Sequence, residues 1–87
     1  MKYTVTWRPS AASRLSEIWM ESLDRPGVTD AANGIDSVLA LCPQEQGEER
    51  DEGTRILIVP PLAIIYEVSD DDRRVTVLSV KETPNHN

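Results

Sequence analysis

Few side chains in this 87-residue chain have the type and spacing that chemistry requires. The single cysteine, Cys42, falls in the apolar stripe of a helix-period segment, and no histidine is placed by sequence to activate it. The single histidine, His86, stands in a polar tail without a second ligand nearby, so neither a metal site nor a cofactor is expected. Asp70, Asp71 and Asp72 lie between two strand-like runs, where a solvated turn is their simplest role. No glycine-rich phosphate loop and no carboxylate set with metal-ligand spacing occurs. Tyr66 closes an apolar run. Its ordinary role is a half-buried ring with the hydroxyl at a sheet edge, and its alternative role is acid–base work.

Charge narrows the classes further. Fifteen acids against nine bases give a formal net charge of −6 and a pI near 4.6. Binding to nucleic acid without sequence preference depends on Lys and Arg neutralising phosphates, so an acidic chain starts at a disadvantage, and its acids serve mainly to solvate the surface. One cysteine rules out an internal disulfide framework and fits a reducing compartment. No apolar run of about 18 residues could cross a bilayer, and MKYTVTWRPS lacks the apolar stretch of a signal peptide. A cytoplasmic protein without membrane contact is expected. The length suits one domain, residues 1–82, followed by a short polar tail, 83–87.

The elements follow from hydrophobic period. Tyr3, Val5 and Trp7 alternate with Thr4 and Thr6, which predicts a half-buried strand stopped by Pro9. Ser10 is placed to cap a helix carrying Leu15, Ile18, Trp19 and Leu23 at helical spacing. Arg25-Pro26-Gly27 breaks it, and Thr29 or Asp30 can cap a second helix whose stripe is Val28, Ala31, Ala32, Ile35, Val38, Leu39 and Cys42. Gly34 costs that helix about 1 kcal/mol relative to Ala unless it allows close approach to the first. Trp7 and Trp19 read as anchors of the sheet–helix seam. After Pro43 comes an acidic stretch, PQEQGEERDEGT, predicted to be an exposed, mobile loop with partner docking as its functional alternative. RILIVPPLAIIYEVSDDDRRVTVLSVK then holds three β-branched runs with two breakers, an antiparallel meander. The fold class is α+β, in the order β-α-α-β-β-β. A helical hairpin packs on one face of a small, mostly antiparallel four-stranded sheet.

Parity assigns the faces. With Pro60-Pro61 as the first turn, Val59 faces Leu62, Leu57 faces Ile64 and Arg55 faces Tyr66. With Asp70 to Asp72 as the second, Val68 faces Arg74 and Tyr66 faces Thr76. One face then carries Leu57, Val59, Leu62, Ile64, Val68, Leu78 and Val80, with Arg55, Tyr66, Arg74 and Thr76 at one end. The other carries Ile56, Ile58, Ala63, Ile65, Val75 and Val77. The hairpin covers the first, which has the larger side chains, and the second is left as an apolar patch of the kind that marks a partner surface.

The run YTVTWRPSA into LSEIW, the second helix ending at a proline, the loop PQEQGEER, and then RILIVPP, LAIIYEV and RRVTVLSVKE together resemble the RelE/ParE superfamily. These are the toxin components of bacterial type II toxin–antitoxin pairs. The resemblance spans almost the whole chain. It implies a cytoplasmic, plasmid-stabilisation-like protein encoded with an antitoxin that wraps an extended or helical segment around it. RelE-like members cleave messenger RNA on the ribosome, and ParE-like members act on DNA gyrase.

Cleavage of the RelE kind needs a group to take the 2′-hydroxyl proton, a cation for the phosphorane charge and a donor for the leaving oxygen. The resemblance places such groups on the first two meander strands and after the last. This chain has Arg55 at one basic position but Leu57 and Ala63 at others, and Lys81-Glu82-Thr83-Pro84 follows the last strand without Arg or Tyr. The residual catalytic candidates are Arg55, Arg73 and Lys81, whose plainer role is that of exposed strand-end charges. The expected function is a toxin acting by protein binding in the ParE-like manner through Ile56, Ile58, Ala63, Ile65, Val75 and Val77. Its partner is a cognate antitoxin, DNA gyrase or the ribosome is its candidate target, and a homodimer is a further arrangement. The alternatives are an endoribonuclease of the RelE type and a catalytically degenerate module that dimerises or sequesters antitoxin.

Overall fold

The computed structural model describes residues 2–51 and 53–83, so His86 and the tail beyond Thr83 lie outside the described residues. β1 forms over Thr4–Trp7. Pro9 does more than stop it. Its fixed φ suits a first helical turn, so α1 runs directly from Pro9 to Glu21, with Arg8 rather than Ser10 at the N-cap. α2, Arg25–Leu41, begins earlier than expected, because the Asp24 carboxylate accepts from the Gly27 N–H at 3.1 Å and Pro26 enters the first turn. Arg-Pro-Gly therefore opens the second helix, and the link shrinks to Ser22-Leu23-Asp24. Arg25 closes the hairpin by donating to the carbonyls of Trp19 at 3.1 Å and Met20 at 2.7 Å, two of the groups a helix end leaves without partners.

The remaining strands are β2 (Glu48–Glu49), β3 (Thr54–Val59), β4 (Leu62–Ser69) and β5 (Arg74–Glu82), in the sheet order β1-β5-β4-β3-β2. β1 runs parallel to β5 and the other neighbours are antiparallel. The class is α+β with a helical hairpin, as expected, but the sheet has five strands rather than four. The fifth comes out of the acidic stretch, where Glu48 and Glu49 pair with Ile56 and Arg55. Two side chains on the covered face hold that stretch in place. The Tyr66 hydroxyl lies 2.7 Å from the Pro43 carbonyl and 2.8 Å from that of Gln46, and Arg55 donates to Gln46 at 2.9 Å and Gly47 at 3.3 Å.

The β3–β4 hairpin turns at Pro60-Pro61 with the expected register. The β4–β5 hairpin does not. Its loop is four residues, Asp70 to Arg73, with Arg73 at a φ of 52° and its N–H bonded to the Asp70 carbonyl. Val68 therefore faces Val75 and Tyr66 faces Val77. A one-residue slip exchanges the faces of a strand, so Val75 and Val77 lie under the helices at 0 % exposure and not on the open side. A bulge between Ile65 and Tyr66 then restores parity, bringing Ser79 opposite Ile65 and Val80 opposite Ile64. Leu78 is the extra residue and stays outside the core. That core joins Ile18, Val28, Ala31, Ile35 and Leu39 of the helices to Leu62, Ile64, Tyr66, Val75, Val77 and Val80.

Two glycines carry opposite consequences. Gly47 has a φ of 63°, and a Cβ there would collide with the Ile56 carbonyl; Gly34 has open space where a Cβ would stand, so it serves no helix–helix approach. Gly47→Ala should lower stability by about 1–3 kcal/mol, and Gly34→Ala should raise it by about 0.5–1 kcal/mol. Thermal melts of the two variants check both signs.

Candidate functional site

Rows across the open face follow from the register. Ile58, Ala63 and Lys81 form one row, Glu48, Ile56, Ile65 and Ser79 the next, and Thr54, Glu67, Thr76 and Thr6 the third. The β3 and β4 positions of the first two rows are thus apolar, and the third row and the half on β5 and β1 are polar. Ile58 is 59 % exposed, Ile56 and Ile65 are half-buried, and Ala63 is only 4 % exposed. Ala63 is shielded because its small side chain lies between the longer ones of Ile58 and Lys81. A hollow of about 380 Å³ opens on this face, with Ile56, Ala63 and Ile65 at its floor and Arg50, Ser79 and Lys81 around it.

The three candidate bases are not brought together. Arg55 is on the helix side of the sheet, paired with Tyr66 and bonded to the loop carbonyls described above. Arg73 sits in the β4–β5 turn, 5.4 Å from the centre of the Tyr3 ring. Lys81 alone of the three is on the open face. Arg50 was missed, since one base in an acidic tract has no periodic signal. It borders the hollow because its N–H bonds the Thr54 carbonyl at 3.0 Å, which turns the chain back along β3.

No aromatic ring faces the open side. Tyr66 is buried beneath the helices, and Trp7 packs on the core with its indole N–H 2.8 Å from Asp36. Trp19 spans the two helices through Thr29 at 3.1 Å and remains 41 % exposed, less of an anchor than its spacing suggested. Tyr3 donates to Asp70 at 2.9 Å, which raises its pKa. Cys42, expected inside, caps α2 and is exposed. A groove of about 440 Å³ between the helices, floored by Leu15, Val28 and Ala32, has no titratable side chain among the described residues that line it. Among the described residues no cluster could hold a metal ion, and no helix is long and apolar enough to cross a membrane.

No protein-family model matches the sequence, and no curated protein matches it. Solved structures do match in shape. A chain of the RelBE2 toxin–antitoxin complex of Mycobacterium tuberculosis superposes with a TM-score of 0.79 at 20 % identity, over 98 % of this chain and 95 % of that one. A chain of the chromosomal ParDE toxin–antitoxin system of P. aeruginosa gives 0.74 at 18 % identity, over 94 % and 97 %. The isolated E. coli RelE toxin gives 0.69 at 17 % identity, over 98 % and 88 %. At such identities the likeness carries the fold, and activity has to be argued from the site.

Burial raises the Tyr66 pKa above 10.0, and the nearby Arg55 guanidinium pulls the other way. The folded state therefore holds this proton more tightly than the unfolded chain. The stability linked to it is fully present below pH of about 10 and is lost as pH rises through the raised value. The wild-type melting temperature should fall as pH rises above about 10, and Tyr66→Phe should flatten that fall while lowering stability at neutral pH by about 1–2 kcal/mol. An equally steep alkaline limb in the variant would show that another group is responsible.

Proposed function

We propose that this chain, on the fold of the RelE and ParE toxins, is the toxin of a toxin–antitoxin pair and acts by gripping protein through the open face of its sheet. The observation that carries the reading is the apolar centre formed by Ile56, Ile58, Ala63 and Ile65 on the side the helices do not cover. Water-exposed apolar surface of this kind stabilises a complex when a partner buries it. Val75 and Val77 have no part in this surface.

Three physical points disfavour cleavage of RNA. Arg55, Arg73 and Lys81 lie on the covered side, in a turn and on the open face respectively, so they cannot act on one phosphate. The chain carries −6, which repels a polyanion at long range. The open face presents no ring for a base to stack on, a contact worth about 1–3 kcal/mol per base where it occurs. A cognate antitoxin is the expected partner on this reading, as RelBE2 and ParDE are toxin–antitoxin assemblies. A topoisomerase is the target class that the ParE-like reading supplies.

Induced expression of the wild type should arrest bacterial growth, and primer extension on cellular messages should reveal no new 5′ ends. Ile58→Asp, at an exposed position that tolerates a charge, should abolish the arrest while keeping the wild-type melting temperature. New message ends would replace this reading with the endoribonuclease, and unaffected growth with wild-type protein would remove the toxin assignment.

A further inference from the structure

The charges of the open hollow are opposite in sign to those of the molecule. The chain carries −6, yet among the described residues the charged side chains lining the hollow are Arg50 and Lys81, with Glu48 and Glu67 on the same face outside it. They stand on opposite sides of an apolar floor made by Ile56, Ala63 and Ile65. Lys81 comes from β5, next to Ala63, and Arg50 follows β2 at the far side of β3. Three strand spacings separate β2 from β5, about 14 Å at roughly 4.8 Å each, and Arg50 is level with Thr54 while Lys81 is level with Ile58, a further offset of about 13 Å along the strands, so their backbones stand about 19 Å apart. Both long side chains reach inward over that diagonal, which about six residues of extended peptide span at 3.3–3.4 Å per residue.

We infer that the hollow takes a peptide segment of the protein partner in which two or three apolar residues are flanked on both sides by Asp or Glu. The apolar side chains rest on Ile56, Ala63 and Ile65. One flanking carboxylate meets the Lys81 ammonium and the other meets the Arg50 guanidinium. The inference depends on the open face being a protein-binding surface, as proposed above, and adds the chemistry of what it binds.

Two features select an acidic peptide over a stretch of RNA, the other polymer that two bases might suggest. RNA offers a continuous row of phosphates, and two bases about 19 Å apart over a hydrocarbon floor neutralise few of them. The floor has no aromatic side chain, so exposed bases would gain no stacking, whereas Leu, Ile or Val side chains would bury apolar area there. The bases then set orientation and reject wrong partners, because a segment with basic flanks would place like charges together.

Panning a random twelve-residue phage library against the full-length protein tests this. The selected peptides should carry Asp or Glu on both sides of an apolar pair or triplet. Their binding, read by fluorescence anisotropy, should weaken at least tenfold for the Arg50→Glu/Lys81→Glu variant, and circular dichroism should show that variant folded. Ala63→Trp, which fills the floor while leaving both bases, should weaken the same peptides by a similar factor. Failure to enrich any peptide, enrichment without acidic flanks, or unchanged affinity in the charge-reversed variant would overturn the inference. Tighter binding of a twelve-nucleotide oligouridylate than of any peptide, lost on the same charge reversal, would overturn it in favour of RNA. Growth arrest is scored separately. Acidic-flanked peptides that bind a protein without effect on growth would sink the toxin reading alone, and arrest by a protein indifferent to charge reversal would sink only this inference.

Discussion

A single layer of two helices lies on a sheet whose side chains alternate between faces, so each strand residue has only two environments to choose between. Every other feature of this molecule depends on that choice. Leu57, Ile64, Tyr66, Val75 and Val77 go beneath α1 and α2 and form the core with Ile18, Ile35 and Leu39. Ile56, Ile58, Ala63 and Ile65 go to the other side, which the helices do not cover. Two apolar faces and one apolar lid leave a surface that water solvates poorly. The lid is firmly built at both ends. Arg25 closes the helix turn against the last carbonyls of α1, and Tyr66 with Arg55 holds the chain that leaves α2.

The same constraint turns residues of reactive type into structural ones. Arg55 and Tyr66, a cation beside a phenol, would be a reasonable pair for acid–base chemistry if they faced solvent. They face the helix layer, where the phenol is wholly buried and both groups bond main-chain carbonyls of the 43–47 segment. A buried hydroxyl needs such a partner, since leaving it unsatisfied costs about 1–3 kcal/mol. The acidic stretch is therefore folded back as a fifth strand. That folding delivers Arg50 to the rim of the open hollow. A basic position thus appears on the open face as a by-product of burying a tyrosine on the other.

Order and class were legible in the residues: one strand, two amphipathic helices and a meander, with the β3–β4 register set by Pro60-Pro61. The apolar identity of Ile56, Ile58, Ala63 and Ile65 as one face was legible too, because period-two alternation within a strand needs no knowledge of neighbours. Helix starts were misjudged where a proline that ends one element also opens the next. Pro9 and Pro26 each fit a first helical turn, and Asp24 supplied a cap nearer than Thr29.

What the sequence could not determine is how β5 meets β4. RRVTVLSVK alternates equally well with Val75 and Val77 in or out, and the decision rests on loop length and on one extra residue. A four-residue turn with Arg73 in the left-handed region sends both valines inward, and the bulge at Leu78 keeps Val80 inward as well. Both devices place more apolar area against the helices than an unbroken ladder would, which is a property of the packed layers and not of any local run of residues. Composition alone established an acidic, base-poor chain with one cysteine and one histidine. Only the tertiary structure separated Arg55 from Lys81 and set Arg50 in view of it, because those placements follow from which side of a pleated sheet each side chain leaves.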